Sequence, residues 1–530
     1  MPIHSTLLTG LVCLIGVASA APVCDASTFK SLTLFNIEVT STAATVAHIV
    51  AGPDGQFTEL AGNATPEETA AATQFCQVTI QYTHPGQNDV INTFIGLPLN
   101  ASAWNGRFQM PGGGGWTAGN LLLIYGPVAA GYASTSTDAG HTENETAADW
   151  GLVSPGNTNW PALWDFAAVA LDEAATLGKL ATQLYFGSPP KYSYFNGCST
   201  GGRQGHIMAQ RYPDQFDGIL SGAPAIAWQT FIIGMFWPVL VANILESVPP
   251  LCVLDAFTNA SISGCDELDG VKDNVIATPD KCQFNASSIV GQTVQCTKPE
   301  GIITLTEKHA QLVNAIWDGP RSVEGAFEWY GLTKGTSLRA LLNTTCESVD
   351  HCVPIPFSVS TDWIAVFLAR NASLDYNSLT REDFDRLFRL SVDQYASVIG
   401  TDNPDLTSFR RSGGKMIVWH GLADLVVTPL GTYDYYKRAK QFDDSLDSYY
   451  KFFAAPGVEH CGGGPGLDPS STIFDSVVAW VENEITPETV PGRGPAVGAS
   501  GTREINLCPY PKVLTYIGPD PNQASSFVCQ

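Results

Sequence analysis

The chain predicts an α/β fold, a mostly parallel sheet covered by helices and interrupted by one long insertion. Three observations carry this. Strand-like runs at residues 77–82, 90–97, 192–195, 415–419 and 449–454 are interspersed with helix-like stretches at 164–177 and 475–484, the order of a sheet whose crossovers are helical. A five-residue turn, Gly197-Cys198-Ser199-Thr200-Gly201, stands between an aromatic strand and a helix-compatible run at 203–211. From about 225 to 411 the strand signals thin out, while cysteines, Asn-x-Ser/Thr sites and loop residues accumulate. A length of 530 residues suits a large core with one sizeable insertion. Only 15% of residues are charged, which excludes global disorder.

The N-terminus reads as a secretory leader over residues 1–20. An apolar run at 7–17 ends in Ala18-Ser19-Ala20, small residues suited to cleavage before Ala21, although the preceding flank holds no Lys or Arg. No other apolar stretch approaches the ~20 residues of a spanning helix. The usage of cysteine agrees with export. Of 13 cysteines, Cys13 falls in the leader, and the even remainder fits a disulfide framework. Glycan acceptor sites occur at Asn63, Asn100, Asn144, Asn259, Asn285, Asn343 and Asn371. With 51 acidic against 27 basic residues the formal charge is -24, which repels phosphate backbones and anionic headgroups. Neither nucleic acid nor membrane is an expected partner; the oligomeric state is not legible.

The serine turn fits G-x-S-x-G, a pattern whose small residues permit the strained dihedrals of a tight strand-to-helix turn. It lifts Ser199 Oγ clear of the sheet and leaves the Thr200 N–H at a helix start, where it can stabilise an oxyanion. A serine hydroxyl needs a base. Downstream, the run 415–419 leads into His420-Gly421-Leu422-Ala423-Asp424, and the run 449–454 leads into a loop carrying Glu459, His460 and Cys461. The order Ser, Asp, His is that of α/β-hydrolases, and it selects His460 as base and Asp424 as acid. His420 competes as base, His141 as a residue lining the site, and Asp434 and Glu459 as acid; His206 reads as core packing. A second oxyanion donor is expected from Pro111-Gly112-Gly113-Gly114-Gly115-Trp116, at Gly113 or Gly114. No Lys-Ser/Thr follows these glycines, so the loop is not a nucleotide cradle.

With these motifs in hand, the chain resembles the fungal tannase and feruloyl esterase family. The matches run in order through Trp104-Asn105-Gly106-Arg107-Phe108, the glycine loop, Ser136-Thr137-Asp138-Ala139-Gly140-His141, the serine turn with Gly202-Arg203, His420 to Asp424, and His460-Cys461-Gly462-Gly463-Gly464. The resemblance implies an α/β-hydrolase core (21–224 and 412–530) with an inserted lid (225–411) that covers the site. It implies a Cys198–Cys461 bridge joining nucleophile and base. It also implies a structural calcium ion in the lid, held by Asp266, Asp269 and Asp273 with the carbonyls of Val271 and Val275; hard oxygen donors are what Ca²⁺ takes. Cys265–Cys282, Cys24–Cys76 and Cys508–Cys529 are expected pairs, while Cys252, Cys296, Cys346 and Cys352 allow three pairings. Where family members often carry Asn in the glycine loop, this one is all glycine. The implied activity is hydrolysis of aromatic acid esters, hydroxycinnamates ahead of galloyl esters. A secondary-metabolite carboxylesterase and a catalytically silent extracellular binding module are the alternatives.

Overall fold

The computed structural model describes residues 23–52, 55–60, 65 and 71–530. The leader at 1–20 and the sequon at Asn63 lie outside the described residues. One ten-stranded sheet runs through the protein. Its strands are β1 (Glu38–Ala51), β2 (Phe57–Glu59), β3 (Thr73–Thr83), β4 (Ile91–Pro98), β5 (Arg107–Pro111), β6 (Ala133–Thr137), β7 (Tyr192–Cys198), β8 (Gly218–Gly222), β9 (Lys415–Gly421) and β10 (Tyr450–Ala455). They lie in the order β10-β9-β8-β7-β5-β6-β4-β3-β1-β2. From β10 to β6 every pairing is parallel, and from β6 to β2 every pairing is antiparallel.

The parallel strands are buried on both faces, as their apolar runs demand. Phe195, Ile219, Met416, Val418 and Phe452 enter the main core, and the alternating Tyr194, Leu220, Ile417 and Phe453 pack with Ile473, Val477 and Trp480 in a second cluster. The helices used below are α1 (Trp160–Ala167), α2 (Val169–Phe186), α3 (Thr200–Arg211) and α4 (Trp228–Gly234). Residues 164–177 read as one helix in the sequence but form parts of two. The chain breaks at Ala168 (φ −159°, ψ −46°), and the carbonyls of Phe166 and Ala167 accept instead from the buried Arg203 guanidinium at 3.2 and 2.9 Å.

Among the described residues, the long stretch between β8 and β9 adds no strand to this sheet. All four expected disulfides are present: Cys24–Cys76, Cys198–Cys461, Cys265–Cys282 and Cys508–Cys529. The four cysteines left open pair as Cys252–Cys296 and Cys346–Cys352. Asn100, Asn144, Asn259, Asn285, Asn343 and Asn371 are all exposed. No described helix is long and apolar enough to cross a membrane.

Candidate active site

Loops leaving the carboxyl ends of β5, β7, β9 and β10 converge on one cavity, where parallel sheets of this kind place their ligands. Ser199 sits at the turn from β7 into α3 with φ 63° and ψ −121°, a conformation that a residue with a Cβ adopts only under constraint. The constraint is visible. The Ser199 N–H donates to the Gly222 carbonyl at 3.0 Å, and its own carbonyl accepts from Arg203 and Ala225. A Cβ on Gly197 would stand 2.6 Å from the Gly201 backbone, so the turn closes only around glycine.

Asp424 follows β9 and is fully buried. Its Oδ1 accepts from the Val426 and Val427 N–H groups, each at 2.8 Å. Its Oδ2 lies 2.7 Å from His460 Nδ1 and 3.1 Å from His420 Nε2. Burial pushes this carboxyl up, but the charge of His460 and hydrogen bonds from both histidines outweigh it and hold Asp424 far below the usual carboxylate range. His420 therefore shares the acid rather than competing for the serine. Its Nε2–H also donates to the Val427 carbonyl at 2.9 Å, which leaves Nδ1 to accept from Thr432 Oγ1 at 2.8 Å. Asp434, a rival acid, pairs with Arg438 at 2.8 Å instead. His141 is buried, stacked on Trp150, and donates to the Trp116 carbonyl at 2.6 Å, so it does not line the cavity. His206 is buried in the core, as read.

The expected oxyanion donors need correction. The Gly113 N–H already donates to Gln204 Oε1 at 2.9 Å, and the Gly114 N–H to the Thr117 carbonyl at 3.0 Å. Within the loop, Gly115 has an N–H with no acceptor among the described residues, and its carbonyl accepts from Thr200 Oγ1 at 2.7 Å. Gly115 and Thr200 are thus held against each other and both line the cavity beside Ser199; Thr200 opens α3 and has no intrahelical acceptor.

The Cys198–Cys461 bridge, with Cα atoms 5.8 Å apart, joins the neighbours of Ser199 and His460. Both residues line a cavity of about 630 Å³, walled by Trp228, Phe231, Ile232, Met235, Phe357 and Val359 from the stretch between β8 and β9. Its remaining polar side chains, Thr117, Asn120 and Thr200, are uncharged.

The family model described as tannase and feruloyl esterase matches residues 76–530. The chain belongs to this family. Carboxylic ester hydrolysis is therefore its chemistry. A probable feruloyl esterase of Arthroderma benhamiae is 41% identical over 476 residues, covering 88% of this chain and 87% of that one. Among solved structures, a tannin acyl hydrolase from Aspergillus niger aligns with a TM-score of 0.83 at 25% identity, covering 96% of this esterase and 95% of its own chain. Feruloyl esterase B from Aspergillus oryzae aligns at 0.76 and 25%, covering 95% and 100%.

The acidic loop after Cys265 forms a separate polar centre of this esterase. Asp266 is buried and its Oδ1 accepts from the Asp273 and Val275 N–H groups at 3.1 and 3.2 Å. Asp273 pairs with the buried Arg503 at 2.5 Å. Burial, then the nearby carboxylates of Asp273 and Asp266, push Asp269 up to about 6. The carbonyls of Val271 and Val275 accept no hydrogen bond from the described residues. Three carboxylates and two free carbonyls are the oxygen chemistry that a calcium ion takes, although Asp266, Asp269 and Asp273 do not bring one oxygen each within 4.8 Å of the others and Asp273 is already paired with Arg503.

Proposed function

We propose that the chain is a secreted feruloyl esterase acting by a Ser-His-Asp acyl-enzyme mechanism. Ser199 Oγ attacks the ester carbonyl while His460 Nε2 takes its proton and returns it to the leaving alcohol. Water then repeats the sequence on the acyl-enzyme. Asp424 holds the imidazole by Nδ1, and the Thr200 and Gly115 amides receive the oxyanion. The observation that carries this reading is the 2.7 Å bond from Asp424 to His460 on a histidine bridged, one residue away, to the strained Ser199.

The apolar wall favours a hydroxycinnamoyl over a galloyl group. A galloyl ring brings three phenolic hydroxyls, each costly to bury without a partner, whereas a feruloyl group brings one hydroxyl, a methoxy group and an apolar propenyl spacer. The likeness to a tannin acyl hydrolase makes galloyl esters the competing substrate. Methyl ferulate and methyl gallate decide between them: kcat/KM for ferulate should exceed that for gallate by at least tenfold. Ser199→Ala should abolish both activities; residual turnover equal to the wild type would reject the nucleophile.

Six disulfides and the exposed sequons support secretion of a glycosylated protein. Calcium would be held by Asp266, Asp269 and Asp273 with the Val271 and Val275 carbonyls. It would neutralise their mutual repulsion and take no part in the reaction.

A further inference from the structure

Away from Ser199, the turn between β3 and β4 brings a second group of ionisable side chains against α1 and α2. His84 follows β3, Asp89 precedes β4, Asp165 lies on α1 and Glu173 on α2. One ligand atom each from His84, Asp89 and Asp165 falls within 4.8 Å of the others, the one such group of three among the described residues. His84 Nδ1 is 2.5 Å from Asp89 Oδ2 and 3.9 Å from Asp165 Oδ1, and its Nε2 is 2.8 Å from Glu173 Oε1. The second oxygen of Asp89 accepts from the His84 N–H and from Thr83 Oγ1, and that of Glu173 accepts from the Tyr82 hydroxyl.

Asp165 breaks this pattern of satisfaction. Its side chain is 3% exposed, yet its Oδ2 has no hydrogen-bond partner among the described residues. Among the described residues no lysine or arginine pairs with Asp89, Asp165 or Glu173. One imidazole therefore faces three carboxylates in a buried cluster, an arrangement that is costly unless further positive charge enters. The cluster is reachable, because His84, Asp165 and Glu173 line an open groove together with Trp160 and Trp164.

We propose that His84, Asp89 and Asp165 form a site for a divalent first-row metal ion, with zinc the best match. His84 Nδ1 and one oxygen from each aspartate supply a mixed nitrogen and oxygen set, and water from the groove completes the shell. Glu173 stands behind the imidazole. By holding Nε2–H it fixes Nδ1 as the ligating nitrogen, the usual role of a carboxylate behind a metal-bound histidine. The Nδ1 proton leaves to solvent as the ion enters. This site differs in kind from the all-oxygen loop at Asp266, Asp269 and Asp273. Its position gives it a structural role: the two residues after Asp165 hold Arg203 of α3, so the ion would tie the β3–β4 turn to the helix that follows Ser199.

The test uses the full chain, stripped with a chelator and titrated with Co²⁺, Zn²⁺ and Ca²⁺. One equivalent of Co²⁺ should produce a visible absorption band that Zn²⁺ removes and Ca²⁺ does not. Asp165→Asn keeps the shape, removes the unpaired anionic oxygen, and should weaken Co²⁺ binding at least tenfold. Asp269→Asn should leave that binding unchanged. No band in the wild type overturns the proposal without reference to any variant. So does a band that survives Asp165→Asn, or one that is lost in Asp269→Asn.

Discussion

Asp424 serves two histidines at once, and this gives His420 a task. Its Nε2–H holds the same oxygen that His460 uses, while Thr432 and the Val427 carbonyl fix its ring. His420 is then a positioning residue for the acid. His420→Phe fills the space but removes a hydrogen bond to an ionised group, a loss of about 1.5–3 kcal/mol. The expected result is a fall in kcat of roughly tenfold to a hundredfold, with KM little changed. His420→Gln should recover part of it, whereas a purely structural role would lower thermal stability and leave the kcat of folded enzyme intact. At this scale the sequence is informative where sterics dictate residue type. Only glycine fits at Gly197, and at Gly201 a Cβ would press on the glycine loop at 3.0 Å, so the turn at Ser199 is legible. Which amide of the glycine loop stays free is not legible, because Gln204, far along the chain, claims the one at Gly113. The role of His420 is hidden for a related reason: spacing shows that it precedes the acid, not that it reaches the same oxygen.

Among the elements, β7 and β10 deliver Ser199 and His460 from opposite sides of β8 and β9, and the Cys198–Cys461 bridge spans the gap. It closes 263 residues of chain, so its removal should cost about 2–5 kcal/mol of stability. The more telling effect is on geometry. The Cys198→Ala/Cys461→Ala enzyme should keep its far-ultraviolet circular dichroism at 25 °C and lose at least tenfold in kcat/KM; unchanged turnover would leave the bridge a stabiliser only. The strands that carry these loops are legible as short apolar and aromatic runs. Strand β6 is not, since Ala133–Thr137 is a wholly buried Ala-Ser-Thr segment with no apolar run to betray it. Nor is the break at Ala168, which answers to Arg203 across the structure rather than to any local breaker.

For the whole molecule, composition sets apart the stretch between β8 and β9, which adds no strand to the ten-stranded sheet, but its attachments are not legible. Arg503, near the C-terminus, pairs with Asp273 of the acidic loop, and Val275 packs so closely on Gly457 that a Cβ there would stand 2.6 Å away. Gly457 lies three residues before His460. The acidic loop therefore touches Arg503 on one side and the approach to His460 on the other. Removing the proposed calcium ion should be felt at both, because Asp266, Asp269 and Asp273 would then repel one another with only Arg503 paired among them. A chelator should lower Tm by roughly 1–2 °C, the scale of one to two kcal/mol in a chain of this size, and kcat should fall with it before unfolding begins. Asp269→Asn should start from the lowered Tm and respond to the chelator far less. If the chelator moves the Tm of wild type and variant equally, the ion that it removes is not held by this loop.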